Sequence, residues 1–151
     1  MSEPIVTLVL SAAKDEDVRT AGRLLREGQI VAFPTETVYG LGARADNPQA
    51  VKALYALKRR PPHKQMTVLI ADPEETDLYA APLSRTAAAL ARAFWPGPLT
   101  LVVQDLAGGE IGLRCPDCAV ARAMLRAAHV PVVAPSANLS GEPPAISAAD
   151  V

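Results

Sequence analysis

Four side chains that could bind or activate a polar ligand lie within five residues. They are two hydroxyls, a carboxylate and a phenol, supplied by Thr35, Glu36, Thr37 and Tyr39. A short apolar run at 29–33 precedes them and predicts a buried strand, which Pro34 ends because proline cannot donate to a sheet ladder. Open α/β sheets bind ligands in polar loops at strand ends. The stretch therefore predicts a ligand-binding loop, although an ordinary strand-to-loop turn also fits its spacing.

A basic run forms the second candidate cluster. Between Lys52 and Lys64 there are five lysines and arginines and no acidic residue, and a double proline, Pro61-Pro62, interrupts the run. Guanidinium and ammonium groups suit a phosphate-bearing ligand. A solvated helix end, where cations favour the helix dipole, is the alternative interpretation.

A third cluster of polar side chains follows an apolar run at 131–134, and consists of Ser136, Asn138 and Ser140. Arg114 is expected to reach it from a neighbouring strand end. Hydroxyls and cations that converge on one cleft favour a phosphate ligand, yet the chain has neither a Walker loop nor a Gly-x-Gly-x-x-Gly turn. Any bound ATP must therefore be held by another arrangement.

Cys115 and Cys118 form a Cys-x-x-Cys pair. This spacing suits a redox pair or half of a zinc site. A zinc site needs about four ligands, however, and the two histidines, His63 and His129, are far away in the sequence. An incidental or buried pair is the commoner case.

The hydrophobic pattern predicts alternating strands and helices. Strands are expected at 5–10, 29–33, 66–70, 99–104, 111–114 and 131–134, and helices at 15–27, 48–58, 72–77, 84–95 and 117–128. The second helix should start at Asn47-Pro48 and turn Val51, Leu54 and Tyr55 inward, with Leu57 at the margin of that face. Gly40 and Gly42 are expected to let the backbone turn or approach a ligand closely.

These elements indicate an α/β fold with a twisted sheet and flanking helices. The short link through Gly108-Gly109 predicts a hairpin, so the sheet should be mixed. A length of 151 residues suits one domain spanning 1–151. The net charge of -1 excludes a global basic field. No apolar run could span a bilayer, and the acidic start of the chain, at 1–4, lacks a signal-peptide pattern, so a cytoplasmic protein without membrane partners is expected.

Five sequence blocks, in order along nearly the whole chain, resemble the YrdC-like domain family of threonylcarbamoyl-AMP synthases. They are FPTETVYGLG at 33–42, KRRP at 58–61, WPGPLT at 95–100, LRCP at 113–116 and APSANLSG at 134–141. The resemblance implies a mixed α/β sheet with a basic concave cavity. It also implies that family members continue beyond the position of Val151 with another strand and a Ser-Thr segment, so the chain is short at its C-terminus relative to them.

The activity that this resemblance implies is a nucleotidyl transfer. L-threonine, bicarbonate or CO2, and ATP would give threonylcarbamoyl-AMP and pyrophosphate, with Mg²⁺ accompanying the ATP. The product would serve N6-threonylcarbamoyladenosine formation at tRNA position 37, with tRNA and the downstream threonylcarbamoyl-transferase proteins as partners. No protein metal site is implied.

The resemblance also assigns roles by position. Lys58 and Arg60 match residues that face the ATP phosphates and are the expected catalytic pair. The residues implied to bind threonine are Thr35, Thr67, Arg114 and Ala134, with Arg114 gripping the carboxylate and Ala134 offering backbone. ATP would also contact Pro62, Ser136 and Asn138. Glu36 and His63 are both candidates for a general base, and the sequence does not choose between them.

Two other functions are compatible with the sequence. A non-catalytic RNA-binding module could use the basic run to grip phosphate, although aromatic residues make up only 4% of the chain and a stacking platform is not expected. A carbamoyl-transfer domain of the kind found in hydrogenase-maturation proteins is the last option, since their acylphosphatase-like and zinc-finger regions are not present in this sequence.

Overall fold

The computed structural model describes residues 4–151, and residues 1–3, most of the acidic start of the chain, lie outside that range. The elements follow in the order α1 (Asp15–Arg26), β1 (Val31–Phe33), β2 (Gly40–Arg44), α2 (Pro48–Lys58), β3 (Val68–Leu69), α3 (Arg85–Phe94), β4 (Leu101–Gln104), β5 (Glu110–Arg114), α4 (Ala119–Ala128) and β6 (Val132–Val133). Two 3₁₀ helices, Pro73–Leu78 and Ala148–Asp150, complete the set. The predicted α/β class is confirmed.

The six strands form one mixed sheet in the order β1-β2-β6-β3-β5-β4. Only β3 and β5 are parallel; the other neighbouring pairs run antiparallel, including the β4–β5 hairpin. The hairpin and the mixed sheet predicted from the Gly108-Gly109 link are therefore confirmed.

Hydrophobic residues pack on both faces of this sheet. Leu54 of α2 packs with Val68, Leu113 and Val133 on one face. On the other face, α1 and α4 cover Phe33, Leu69 and Val132, and the residues they contribute include Leu25 and Met124. Because strand side chains alternate between faces, β3 and β6 each supply one residue to each layer. The sheet thus lies between two apolar layers.

The predicted strand at 5–10 is wrong. This segment has no regular secondary structure, and Ile5, Val6, Leu8 and Val9 are all more than 60% exposed. Apolar and β-branched composition predicted the strand, but a strand also needs a neighbour for its backbone hydrogen bonds, and none of the six strands in the described range pairs with this segment.

Strand β2 was missed, because Gly40 and Gly42 were interpreted as freeing a loop. Instead they lie in the strand, opposite Phe33 and Val31 of β1. A Cβ atom at Gly42 would lie 3.0 Å from Cε1 of Phe33, and one at Gly40 would lie 3.2 Å from its Cζ. The glycines therefore make room for the Phe33 ring, and the close approach is to the core.

The ends of α2 explain how it positions the basic run. Asn47 caps the helix through its side-chain oxygen, which accepts from the backbone N–H groups of Gln49 (3.1 Å) and Ala50 (3.2 Å). The helix ends at Arg59, which adopts a left-handed conformation with φ 51°. This reversal lets Lys58 and Arg60 leave the helix end in different directions. No helix within residues 4–151 has the length and apolar character needed to cross a membrane.

Candidate functional site

The sheet topology gathers three of the predicted site segments at one end of the neighbouring strands β2, β6 and β3. The start of β2 and the chain beyond β6 meet through a bridge between Gly40 and Ser136. The backbone N–H of Ala134 donates to the carbonyl of Thr67 at 3.0 Å, so the segment before β3 lies there too. The N–H of Ala137 donates to the carbonyl of Tyr39 at 2.7 Å. Residues from three distant parts of the sequence are thus held side by side.

Thr67, Arg114 and Ala134 share one face of the sheet. Their strand neighbours Val68, Leu113 and Val133 all belong to the core layer on the α2 side. Alternation then places Thr67, Arg114 and Ala134 on the opposite face. The register supports this grouping, since Leu69 lies opposite Arg114 in the parallel β3–β5 pair. Three of the four predicted threonine-binding residues therefore face the same side.

The hydroxyl of Thr35, the fourth of these residues, is committed to its own loop. Its Oγ1 accepts from the N–H groups of Thr37 and Val38, both at 3.2 Å, and donates to the carbonyl of Val38 at 2.5 Å. A hydroxyl has one donor and two acceptor positions, so these bonds use its capacity. In this state Thr35 shapes the loop, while the Thr37 hydroxyl lies 3.0 Å from it and reaches Arg114.

The guanidinium of Arg114 is the centre of a polar cluster. Its Nη2 donates to a carboxylate oxygen of Glu36 and to Oγ1 of Thr37 (3.3 Å), while its Nε donates to the carbonyl of Gly97 at 3.3 Å. The second carboxylate oxygen of Glu36 accepts from the backbone N–H of Asp117. The Arg114 and Glu36 side chains are 17% and 20% exposed, so this is a partly buried ion pair.

This cluster bears on the choice of general base. Both oxygens of the Glu36 carboxylate already accept hydrogen bonds, one from Arg114 and the other from the backbone N–H of Asp117, so in this state Glu36 serves as a partner of Arg114. His63 lies in the exposed loop after Pro62.

The sequence offered no signal for the Glu36–Arg114 pair, because the two residues are 78 positions apart. The contribution of Gly97 was also missed, although it lies in one of the five sequence blocks.

Lys58 is buried, with a relative exposure of 2%. Its Nζ donates to the carbonyl of Ser136, to the carbonyl of Asn138 (2.7 Å) and to Oδ1 of Asn138 (3.4 Å). Burial lowers the pKa of this ammonium, and the nearby positive charge of Arg60 lowers it further. Leu57 was predicted to lie at the margin of the inward face of α2, and this prediction is wrong by one position. Leu57 is 54% exposed, whereas the side chain of Lys58 is buried.

Arg60 lies on the other side of the helix end and binds a different loop. Its Nε donates to the carbonyl of Lys64 at 3.2 Å, and its Nη2 donates to the carbonyl of Gln65 at 2.7 Å. The hydroxyl of Tyr55 also donates to the Lys64 carbonyl, at 2.7 Å. Pro62 is exposed within this loop. Arg60 thus shapes the segment that leads into Thr67.

The Ser136–Asn138 pair is linked internally. Oγ of Ser136 donates to Oδ1 of Asn138 at 2.5 Å, and Nδ2 of Asn138 donates to the carbonyls of Leu139 and Glu142, both at 2.9 Å. The Oγ atom of Ser140 is buried and lacks a hydrogen-bond partner among the described residues. Residues 136–138 thus form a compact turn, and the buried ammonium of Lys58 donates to its carbonyls.

The cysteines and the acidic residues indicate no metal centre in residues 4–151, where no three side chains of His, Cys, Asp or Glu come together. Cys115 and Cys118 are free thiols. Burial raises the pKa of Cys115 to about 11, which keeps it a protonated and unreactive thiol.

Two clefts among residues 4–151 are lined by residues other than the predicted site residues. One, of about 320 Å³, lies between α1 and α4. The other, of about 200 Å³, lies between α2 and the sheet, beside Tyr55, Gln65 and Gly112. The predicted residues instead lie at the ends of the interior strands and in the adjoining loops. The basic concave cavity and the individual binding roles remain predictions.

A family model described as telomere recombination, and named for Sua5, YciO and YrdC, matches residues 23–151. The chain belongs to the Sua5/YciO/YrdC family. The family predicted from the five sequence blocks is therefore confirmed.

Curated relatives support this membership. A Bacillus subtilis protein named threonylcarbamoyl-AMP synthase is 43% identical over 142 residues, which cover 87% of this chain and 41% of that protein. A Chromohalobacter salexigens protein of the same name is 39% identical over 136 residues, covering 84% of this chain and 74% of the relative. This chain of the Sua5/YciO/YrdC family thus spans less than half of the first relative and about three quarters of the second.

Solved structures agree on the fold. The structure of Pyrococcus abyssi Sua5 complexed with L-threonine has a TM-score of 0.86 and 38% sequence identity, and the match covers 91% of this chain and 43% of that one. Escherichia coli YciO, at a TM-score of 0.77 and 22% identity, covers 85% of this chain and shares the fold. The mixed sheet of this chain is therefore the fold of the Sua5/YciO/YrdC family.

Proposed function

We propose that this chain is the catalytic domain of a threonylcarbamoyl-AMP synthase, an enzyme of the nucleotidyltransferase type. It would convert L-threonine, bicarbonate or CO2, and ATP into threonylcarbamoyl-AMP and pyrophosphate. The observation that carries the proposal is the placement of Thr67, Arg114 and Ala134 on one sheet face, where Ala134 leads into the Ser136–Asn138 turn. The names of the curated relatives support the same activity.

Threonine would bind at the Arg114 cluster. A planar guanidinium can hold a carboxylate with two parallel hydrogen bonds. Arg114 already holds a carboxylate, that of Glu36, so the site is suited to this chemistry. The substrate carboxylate would share or replace that contact. The Thr37 and Thr67 hydroxyls would meet the amine and hydroxyl of the substrate, together with the carbonyl of Ala134, whose N–H already donates to the carbonyl of Thr67.

ATP would bind at the adjoining basic and polar loops. Arg60, Pro62, Ser136 and Asn138 are the proposed contacts, and Lys58 and Arg60 supply the two positive charges beside the phosphates. The ligand-free contacts of Arg60 are to two carbonyls of its own loop, which it can exchange for phosphate oxygens because the guanidinium has five N–H donors. The Mg²⁺ that accompanies ATP would be carried by the phosphates.

The reaction needs no protein nucleophile. The threonine amine adds to CO2 and loses a proton to give a carbamate, whose oxygen attacks the α-phosphorus of ATP as pyrophosphate leaves. The chain would contribute orientation of the carbamate and neutralisation of the charge on the leaving group. Transfer of the product to adenosine 37 of tRNA, by downstream threonylcarbamoyl-transferase proteins, would follow, and a cytoplasmic location fits that role.

A pyrophosphate-release assay tests this proposal. Release should require ATP, L-threonine and bicarbonate together, and mass spectrometry should identify threonylcarbamoyl-AMP. Omission of each substrate in turn is the control. Pyrophosphate release that persists without threonine, or no release with all three present, would contradict the proposal.

A further inference from the structure

The strongest unexplained feature of the site is the burial of the Lys58 ammonium. Its relative exposure is 2%, and it is the largest of the fully buried side chains in the described residues. Lysine is almost never fully buried unless its charge is paired, because removal of an ammonium from water is costly. Its partners here are carbonyl oxygens and an amide oxygen, which carry no net charge. The burial of an ammonium among uncharged acceptors therefore points to a specific structural role.

The three donors of the ammonium are all used within one turn. A lysine Nζ has three N–H bonds, and the acceptors are the carbonyl of Ser136, the carbonyl of Asn138 and Oδ1 of Asn138. No donor remains for a phosphate oxygen while these bonds persist. Residue 58 also holds the turn from its backbone, because its carbonyl accepts from the N–H of Ser140 at 2.9 Å.

The same turn carries residues proposed for both substrates. Ala134, on the threonine side, lies two residues before Ser136, and the segment is tied to Thr67 by the Ala134 N–H and to Tyr39 by the Ala137 N–H. A single buried cation therefore fixes the backbone between the two binding sites. Arg60 differs, since its contacts lie in the 64–65 segment on the other side of α2.

We infer that Lys58 is a positioning residue that clamps the Ser136–Ser140 turn from beneath, and that it does not bind the ATP phosphates directly. Its charge still acts on the phosphates, but through the low-dielectric interior and at a distance. The inference deepens the proposed function and rests on it for the identity of the ligands. It predicts that Lys58 matters to threonine and to ATP alike, whereas a phosphate ligand matters to ATP alone.

Binding measurements on two variants separate these roles. Lys58→Met keeps the length and apolar stem of the side chain and removes the ammonium. Calorimetric titration of the variant should show at least about tenfold weaker binding of L-threonine without ATP, and of ATP without threonine, on the scale of lost hydrogen bonds to a charged group. Arg60→Ala, the matched comparison, should weaken ATP binding much more than threonine binding. Threonine affinity that is unchanged in Lys58→Met would overturn the inference.

A second measurement uses the unaltered protein, in case Lys58→Met fails to fold. Acetic anhydride labels accessible amines, and peptide mass spectrometry reads each lysine. Lys14 and Lys52 are exposed and should be modified quickly, while Lys58 should stay unmodified both with and without ATP. Modification of Lys58 at the rate of Lys52, with protection by ATP, would show a direct phosphate ligand instead.

A third measurement separates the inference from the proposed function. If the unaltered protein binds neither threonine nor ATP, the proposed function fails. Amide hydrogen exchange then still tests the clamp, because the Ser140 N–H should exchange much faster in folded Lys58→Met than in the unaltered protein, while the α4 amides keep their rates. Equal exchange at Ser140 in both proteins would overturn the clamp itself.

Discussion

At the scale of single residues, the described state of the site is one in which its cations are satisfied by the protein itself. Arg114 holds Glu36, Lys58 holds the Ser136–Asn138 turn, and Arg60 holds the carbonyls of residues 64 and 65. Ligand binding at Arg114 and Arg60 must therefore exchange one set of contacts for another. The affinity gained is the difference in free energy between the contacts to the protein and the contacts to the ligand. Because the charge is the same in both states, the hydrogen-bond geometry of the arginines matters more than their charge.

Arg60→Ala tests the phosphate contact. We expect ATP binding to weaken by about 1.5–3 kcal/mol, the usual contribution of a hydrogen bond to a charged group. Titration calorimetry measures the effect. Lys52→Ala removes an exposed cation from the same helix and should leave the ATP affinity nearly unchanged, because it alters only the screened surface charge. An ATP affinity that is equal in Arg60→Ala and the unaltered protein would exclude the phosphate role.

Arg114→Lys tests the threonine carboxylate. Lysine keeps the charge but cannot form the two parallel bonds of a guanidinium, so the threonine concentration for half-maximal pyrophosphate release should rise by at least about tenfold. Arg122→Lys is the matched control, since Arg122 donates to Asp72 and to the Ala71 carbonyl, away from the site. In the unaltered protein, serine should compete with threonine better than 2-aminobutyrate does, because a site built for a hydroxyl rejects analogues that lack one. An unaltered threonine dependence in Arg114→Lys would show that this arginine only supports Glu36.

At the scale of elements, sequence reasoning worked where local signals were strong. The cap at Asn47-Pro48 placed the start of α2, and the Gly108-Gly109 link predicted the β4–β5 hairpin. It failed where contacts between residues distant in the sequence determine the structure. The segment at 5–10 has the composition of a strand without a partner, and β2 looked like a loop because its glycines serve the Phe33 ring. The site shows the same division: residue types suggested cations and hydroxyls, but the burial of Lys58 depends on a turn 78 residues away.

The C-terminal end of α4 offers a test of backbone strain. His129 terminates the helix with φ 52°, a left-handed conformation that costs an L-residue roughly 1–2 kcal/mol and glycine much less. His129→Gly should therefore raise the free energy of unfolding by about 1 kcal/mol. Ala123→Gly, at an exposed right-handed position in the same helix, should lower it by about as much. Urea unfolding measures both, and a destabilised His129→Gly would mean that the imidazole contributes more than the strain costs.

The contact between the Pro73–Leu78 3₁₀ helix and α4 should make stability depend on pH. The Arg126 guanidinium, followed by that of Arg122, holds the pKa of Asp72 at about 2, below its ordinary value of 3.8. A carboxyl with a lowered pKa stabilises the fold above its unfolded pKa, and this contribution is lost as pH falls through the folded pKa. The difference in unfolding free energy between the unaltered protein and Asp72→Asn should thus be largest near neutral pH and shrink between pH 4 and about 2. Asp77→Asn, an exposed change of the same type in the same 3₁₀ helix, is the matched control.

At the scale of the whole molecule, the distribution of charge separates an enzyme from an RNA-binding module. The net charge is -1, so the protein has no overall attraction for polyanions. Lys58, Arg60 and Arg114 at the site are half-buried or buried and already hydrogen-bonded within the protein. Such groups suit a small ligand that enters and exchanges hydrogen bonds. An RNA-binding surface would instead need exposed cations that release counterions when they meet phosphates.

Thermal unfolding in the presence of ligands decides between the two at this scale. A ligand that binds only the native state stabilises it by RT ln(1 + [L]/Kd), about 2.7 kcal/mol at a concentration one hundred times Kd. We expect ATP and L-threonine each to raise the melting temperature, and the two together to raise it further, since they occupy adjoining sites. D-threonine and GTP serve as controls for specific recognition of each substrate. RNA of mixed sequence should bind weakly at physiological salt, with little change in melting temperature. The opposite result, tight RNA binding that weakens steeply with salt and no shift from ATP with threonine, would favour the binding module over the synthase.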